Sequence, residues 1–450
     1  MMRLRNLFLI LCMSLLAIQL FAGGFALTGV GSRATSMGGA FRGLSDDPSA
    51  MFWNPAGLGF MNENSFSLGG TFILPTSSWD PTGTAVPQVP GFEATEYEAE
   101  TSLRMFPTAF LTMTKNSRIK YGLGVYVPYG LGTTWDAYKL PTQSPAGPLV
   151  YSDGFPDEEM MSSIAVIDVH PTIAYQILPN LSVGAGLSAM YGMIDIAQVK
   201  FNPQLGAMYP FVPITSDLSG SGIGFGANMG VMFKPTWCMS IGLSGKLPST
   251  IAMEGDATVN LWQPASIDTL GNPVPPQKLG GTSDIDADLK LPAEIGIGIA
   301  STRIPNLTLT LDYAYTMWDR LDEVVIEMKD PAQVLGTTES VLVFDWENTH
   351  RVSMGAEYSM GVNKLRAGMF YDQSPIPEST QIPTISDISD KISANIGWGR
   401  EFGRIGVETN LQWVMFSERE IKDTDATANN TPGKYNTNSI SGNLGLSYKF

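Results

Sequence analysis

The sequence predicts an all-β protein, a transmembrane antiparallel β-barrel of about fourteen strands with an N-terminal hatch in the lumen. Three observations carry that prediction. Apolar and polar residues alternate with period two over segments of about ten residues. Short and long connections between those segments alternate strictly, and the last segment ends the chain on an aromatic residue.

The final segment shows the pattern most fully. Ile440, Gly442, Leu444, Leu446, Tyr448 and Phe450 fall on one face, and Ser441, Asn443, Gly445, Ser447 and Lys449 on the other. In a barrel wall the first face meets lipid and the second lines the lumen. Residues 181–193, 223–233 and 307–317 alternate in the same way, and similar segments begin near Asn64, Arg104, Ile119, Met161, Cys238, Asp284, Val341, Lys364, Lys391 and Ile405. Short links at 115–118, 179–180, 235–237, 302–306, 359–363 and 400–404 alternate with long ones at 75–102, 130–160, 200–218, 248–283, 319–340, 373–390 and 417–436. Short turns belong on the periplasmic side and long loops outside, so both chain ends are periplasmic.

The N-terminus divides into two parts. Arg3 and Arg5 followed by the apolar run 7–20 form a secretory signal peptide over residues 1–24, cleaved after Ala22 or Gly24. Leu11 stands where lipoprotein processing needs a small residue, so Cys12 leaves with the signal. Residues 25–62 precede the barrel of residues 63–450 and are rich in small residues and turn formers, notably Asp46-Asp47-Pro48 and Asn54-Pro55. A barrel of eight strands is filled by its own side chains and one of sixteen leaves a water channel, so about fourteen strands need a plug. Residues 25–62 are the available filler.

Composition narrows the function. With 43 acidic against 27 basic residues and a net charge of −16, the chain has no basic face for nucleic acid. Cys238 alone in the mature chain allows no intramolecular disulfide and no thiolate zinc site. No cofactor or metal is expected, and no enzyme. His170 and His350 lack a Gly-x-Ser-x-Gly elbow, and the Gly-Ala-Gly at 184–186 sits inside an alternating strand, where glycine thins the wall and does not cradle a nucleotide. Asp284, Asp286 and Asp288 lack the glycine and glutamate of a calcium loop.

The segments GGFAL, MGGAFRGLSDDPSAMFWNPAGL, VPYGLG at 127–132, LDYAYTMWDRLDEV at 311–324 and RAGMFYDQSPIP at 366–377 resemble the FadL/TodX family nearly end to end. The resemblance implies a monomeric fourteen-stranded barrel in the outer membrane of a Gram-negative-type bacterium, with passive uptake of hydrophobic compounds, foremost long-chain fatty acids. An aromatic hydrocarbon channel, a general porin and a structural barrel are the alternatives. By the same resemblance, Asn54, Pro55 and Ala56 form the hatch or gate, and Phe25 shares in the ligand pocket.

Other candidates come from the residues themselves. Phe201, Leu205, Met208, Tyr209 and Phe211 make the third long loop too apolar for a solvated one, and Trp262 of the fourth supplies a facing wall for a capture groove. Lys290, Asp312, Arg366, Asp372 and Glu408 fall on lumen-facing phases, where most pair with one another or with the hatch; Arg351 or Arg366 is the cation for a carboxylate head group. Phe450 supplies the terminal signal read by the barrel assembly machinery, and outer membrane lipids surround the wall.

Overall fold

The computed structural model describes residues 24–84, 95–136, 160–201, 213–263, 266–268, 270–275, 277–334, 338–385, 387–422 and 430–450. Fourteen antiparallel strands form the wall: β1 (Ser65–Asp80), β2 (Arg104–Met113), β3 (Ile119–Trp135), β4 (Met160–Leu178), β5 (Leu181–Phe201), β6 (Pro213–Thr236), β7 (Met239–Lys246), β8 (Ala293–Ile304), β9 (Leu307–Met317), β10 (Thr349–Met360), β11 (Asn363–Asp372), β12 (Lys391–Phe402), β13 (Ile405–Phe416) and β14 (Gly433–Lys449). The barrel closes where β1 pairs with β14, from Ser65↔Lys449 to Asp80↔Lys434.

Period two decides which way each side chain points. Ile440, Leu444, Leu446 and Tyr448 are exposed on the outer face, whereas Ser441 and Asn443 are buried inside. A wet outer face would cost the barrel its lipid belt, so this register is fixed by the pattern alone. The short links turn tightly on left-handed residues: Asn116 at φ 55° and Asn306 at φ 61°, with Gly361 and Gly403 both at φ 63°. Asn and Gly tolerate that region where other residues are strained.

Two wall strands begin later in the chain than the alternation suggests. The segments near Asp284 and Val341 belong to an outer extension above the barrel, and the wall is taken up by β8 and β10. The extension forms because β6 is longer than its partner. Its lower half pairs with β7, and its upper half pairs with Ser249–Gln263, which pairs in turn with Gln277–Leu291; Glu323–Met328 and Glu339–Val343 continue the sheet. Pro248 and Pro292 stand at the break between the two levels, where Leu291↔Ser249 lies above and Glu294↔Lys246 below. Proline cannot donate to the ladder, so the interruption falls on both neighbouring strands at one height. Lys290 does not face the lumen; it alternates with Leu289 and Leu291, which pack into the core.

Inside the barrel lies the chain from Gly24 to Asn62. Two short helices, α1 (Ser32–Ser36) and α2 (Ala50–Trp53), and the 3₁₀ turn Pro55–Phe60 fold into a knot. Val30, Ala34, Met37, Phe41, Met51, Trp53 and Leu58 pack there against Phe110, Tyr126 and Ala174 of the wall.

Candidate functional site

The periplasmic half of the lumen is where the hatch is bonded to the wall. Asn54 is fully buried; its Oδ1 accepts from Ala56 N at 3.2 Å, while its Nδ2 donates to Arg42 O at 3.0 Å and Val231 O at 3.2 Å. One side chain thus closes the turn, ties it to the preceding loop and docks it on β6. Pro55 opens the 3₁₀ turn, where its missing N–H costs nothing. The facing wall is built for close approach. A Cβ at Gly184, Gly230 or Gly242 would collide with Pro55, Asn54 or the Arg42 carbonyl, respectively.

Ion pairs complete the attachment. Arg42 Nη2 donates to Glu294 Oε1 at 2.6 Å, and Asp312 Oδ2 accepts from the backbone N–H groups of Phe41 and Arg42 at 2.9 and 2.7 Å. Arg33 bridges Asp46 of the hatch at 2.5 Å and Glu357 of β10 at 2.8 Å. Arg366 bonds Glu357 at 2.6 Å and also Glu408. Below this network a cavity of about 320 Å³ opens beside Arg33, Asp46, Glu63 and Lys449, too charged to hold an apolar molecule.

The wall has a window. β2 pairs with β1 along its whole upper part, from Ile73↔Arg104 to Gly69↔Thr108, but with β3 only from Ala109↔Val125 to Met113↔Tyr121. Above Val125 the facing edge of β3 pairs with no residue of β2, until Glu100 N donates to Thr134 O at 2.8 Å. The cause is local: the register of β3 against β4 slips between Tyr126 and Tyr129, at Val127 and Pro128. A bulge bends and twists its strand, and proline removes a donor. The orphaned edge is taken by the start of the hatch segment instead. Leu27 N donates to Pro128 O at 3.0 Å and Gly130 N to Phe25 O at 3.1 Å, with Ala26 bridged to Tyr129. Gly130 and Gly132 leave room for the side chains of Phe106 and Arg104, which would lie 2.7 and 2.9 Å from added Cβ atoms.

Phe25 points away from the window into a cage of rings. Tyr129, Trp318 and Trp346 surround it at centroid distances of 5.6, 5.0 and 5.5 Å, the first two edge to face. Such pairs contribute about 0.5–1.5 kcal/mol each beyond their area. Above the cage a cavity of about 360 Å³ is bounded by Phe25, Leu131, Ile164, Ile194, Leu289, Phe344, Trp346 and Ile385. That volume is at the small end of the range of ligand sites. A second cavity, about 90 Å³, lies behind the window and is bounded by Ala26, Leu27, Phe106, Gly130, Leu131 and Val414. Leu131 borders both, and the segment from Gly24 to Leu27 lies between them, with Phe25 on the large cavity and Ala26 and Leu27 on the small one.

The other expected residues fall as follows. Arg366 is nearly wholly buried and engaged by two carboxylates. Arg351 donates to Thr28 O at 2.7 Å, lies 3.8 Å from Asp372 and stacks 4.0 Å above the Phe370 ring. Neither arginine borders the large cavity. Leu205, Met208, Tyr209 and Phe211 lie outside the described residues; the backbones of Phe201 and Trp262 end strands, paired with Pro213 and Lys278. Sequence reading missed Tyr129, Trp318 and Trp346 as a cage, although the first two sit in the VPYGLG and LDYAYTMWDRLDEV segments. It also missed Asp387, a buried loop carboxyl whose Oδ2 accepts from Lys391 Nζ at 2.9 Å while Oδ1 has no partner. Burial pushes that carboxyl up to about 7 against the pull of Lys391.

Comparison with known proteins agrees with this architecture. A sequence model of the family described as outer membrane protein transport protein (OMPP1/FadL/TodX) matches residues 13–450. Outer membrane protein P1 of Haemophilus influenzae is 23% identical over 399 residues, covering 80% of each chain. Among solved structures, a Pseudomonas aeruginosa FadL homologue superposes with a TM-score of 0.76 at 19% identity, covering 95% of this chain and all of the other. The Pseudomonas putida toluene transporter TodX gives 0.68 at 17% identity, covering 94% and 98%.

Proposed function

This chain belongs to the OMPP1/FadL/TodX outer membrane transport family, and we propose that it is a channel for passive uptake of hydrophobic compounds whose moving part is the segment Gly24–Thr28. The observation that carries the proposal is the window between β2 and β3, stoppered by that segment with an apolar cavity directly above it. A compound enters from the loop side, displaces Phe25 from its ring cage and draws Leu27 and Ala26 off the edge of β3. It then leaves sideways past Phe106 into the membrane.

Chemistry favours this route over one straight down. The large apolar cavity adjoins the stopper, and the small one behind it meets charge at Arg104 and the Asp387–Lys391 pair, whereas the way through the hatch crosses the larger network of Arg33, Arg42, Glu294, Asp312 and Glu357, which an apolar solute would have to desolvate. Asn54, Pro55 and Ala56 serve in this reading as the anchor that keeps the lower hatch in place while its first residues move. Burying ten methylenes contributes about 8 kcal/mol gross, so apolar contact alone supplies ample affinity.

The test is a reversible lock. In a Cys238→Ser background, Ala26→Cys with Tyr129→Cys joins the two residues bridged across the window. Oxidation should stop entry of a hydrophobic fluorophore into cells and reduction should restore it. Equal uptake in both states would move the gate elsewhere.

A further inference from the structure

Building on the reading of this passage as a hydrophobe channel, we infer that the compound held in the upper cavity is an uncharged amphiphile: an apolar chain or ring carrying a hydroxyl, carbonyl or ester group. Two properties of the lining carry this. Among the described residues, no Arg, Lys, Asp or Glu borders the cavity. An ionised carboxylate placed there would lose its water and gain no counter-charge, the costliest way to bury a polar group.

The lining is nevertheless not pure hydrocarbon. Gln198, on the lumen phase of β5 with Ile194 and Ile196, and Thr384 border it together with the aliphatic and aromatic side chains. A plain alkane or arene covering these groups would strip their water and return no hydrogen bond, while a hydroxyl or carbonyl would replace what is lost. The site thus disfavours both a fatty-acid anion and a bare hydrocarbon.

Among the described residues, the lumen cations lie elsewhere. Arg104 and Lys391 border the smaller cavity behind the window, on the Ala26 side of the stopper, and Lys391 is held 2.9 Å from Asp387. Arg366 is taken up by Glu357 and Glu408, and Arg351 by Thr28 and Asp372.

Three twelve-carbon probes test the inference: 1-dodecanol, dodecanoate at pH 8, and dodecane. Binding to the detergent-purified full protein is read by tryptophan fluorescence, with Trp346→Phe identifying the signal from the cavity wall. 1-Dodecanol should bind at least tenfold more tightly than either of the others. The double variant Gln198→Leu/Thr384→Val should bring 1-dodecanol down to the affinity of dodecane and leave dodecane unchanged, which also shows that the cavity has kept its fold. Dodecanoate binding as tightly as the alcohol, or dodecane matching it, overturns the inference while leaving a hydrophobe channel standing. If Arg104→Gln then removes that dodecanoate binding, the window cavity holds a carboxylate and the uncharged assignment falls with it. Failure of all three probes to bind overturns the channel reading itself.

Discussion

The lower lumen holds its plug with side-chain donors, acceptors and charges, whereas the upper lumen holds the Phe25 side chain with rings. Around the hatch, Arg42, Asn54 and Asp312 each make several directed bonds, and removing one partner strands another in a dry interior. Around the Phe25 ring the contacts are non-directional, and a ring entering from outside can replace a ring that leaves; the directed bonds there are the two backbone ones to Pro128 and Gly130. The two regions belong to one continuous stretch of about forty residues, so their difference separates a part that must stay from a part that can exchange.

The largest expected effect breaks the lower region. Arg42→Met leaves Asp312 without its cation and Glu294 with Lys246 alone, 3.6 Å away, and should weaken hatch docking by about 3–5 kcal/mol. Ion current through single channels in planar bilayers should appear, along with protease cleavage in residues 25–62. A current still near zero would mean that polar bonding is not what keeps the plug in place.

Next comes the upper region. Phe25→Ala removes a ring whose burial contributes about 1.5–3 kcal/mol, and it empties the cage. Uptake of a hydrophobic fluorophore should change severalfold while the ion current stays near zero. A current as large as that of Arg42→Met would erase the distinction between anchor and stopper.

A smaller effect sharpens the lower half. Asn54→Ala removes bonds to Arg42 O and Val231 O and should cost about 1–3 kcal/mol. Occasional brief channel openings should be seen, fewer than in Arg42→Met. Gly230→Ala places a methyl against Asn54 and should act in the same direction. If Asn54→Ala opens the channel more than Arg42→Met, the amide and not the ion pairs is the main fastening.

The mildest test is pH at the outer loops. Asp387 has its carboxyl pushed up to about 7 by burial, so the packed loop favours the protonated form. For a carboxyl raised above its unfolded value near 4, packing gains stability as pH falls from about 7 towards 4 and loses it on the way back up. Hydrogen exchange of residues 387–391 should therefore be slower, after correction for intrinsic rates, at pH 5 than at pH 8. Asp387→Asn should abolish that difference; if it persists in the variant, another group sets it.

Much of this molecule is legible in the amino-acid sequence by itself, because lipid on one face and lumen on the other impose a period of two on every strand. Ile440 to Phe450 carry that pattern without interruption, and Asn116 and Asn306 mark turns that need a left-handed residue. The fourteen-strand count and the plug follow from the same pattern. So do the lumen charges, since Arg366, Asp312 and Glu408 could not face lipid; with whom they pair is not encoded in any local stretch.

What tertiary structure alone decided depends on residues far apart in the chain. Val341 alternates as well as any wall strand, yet it stands outside the barrel, because the length of β6 and the prolines at 248 and 292 determine where the wall ends. The window exists because β2 and β3 pair over only part of their length, a register set by a slip against β4 that no periodicity records. The cage joins Phe25, Tyr129, Trp318 and Trp346 across more than three hundred residues of chain. Alternation along a strand is a local property that the sequence carries directly, whereas the width of a gap and the lining of a cavity are fixed only when the strands on either side have taken their register.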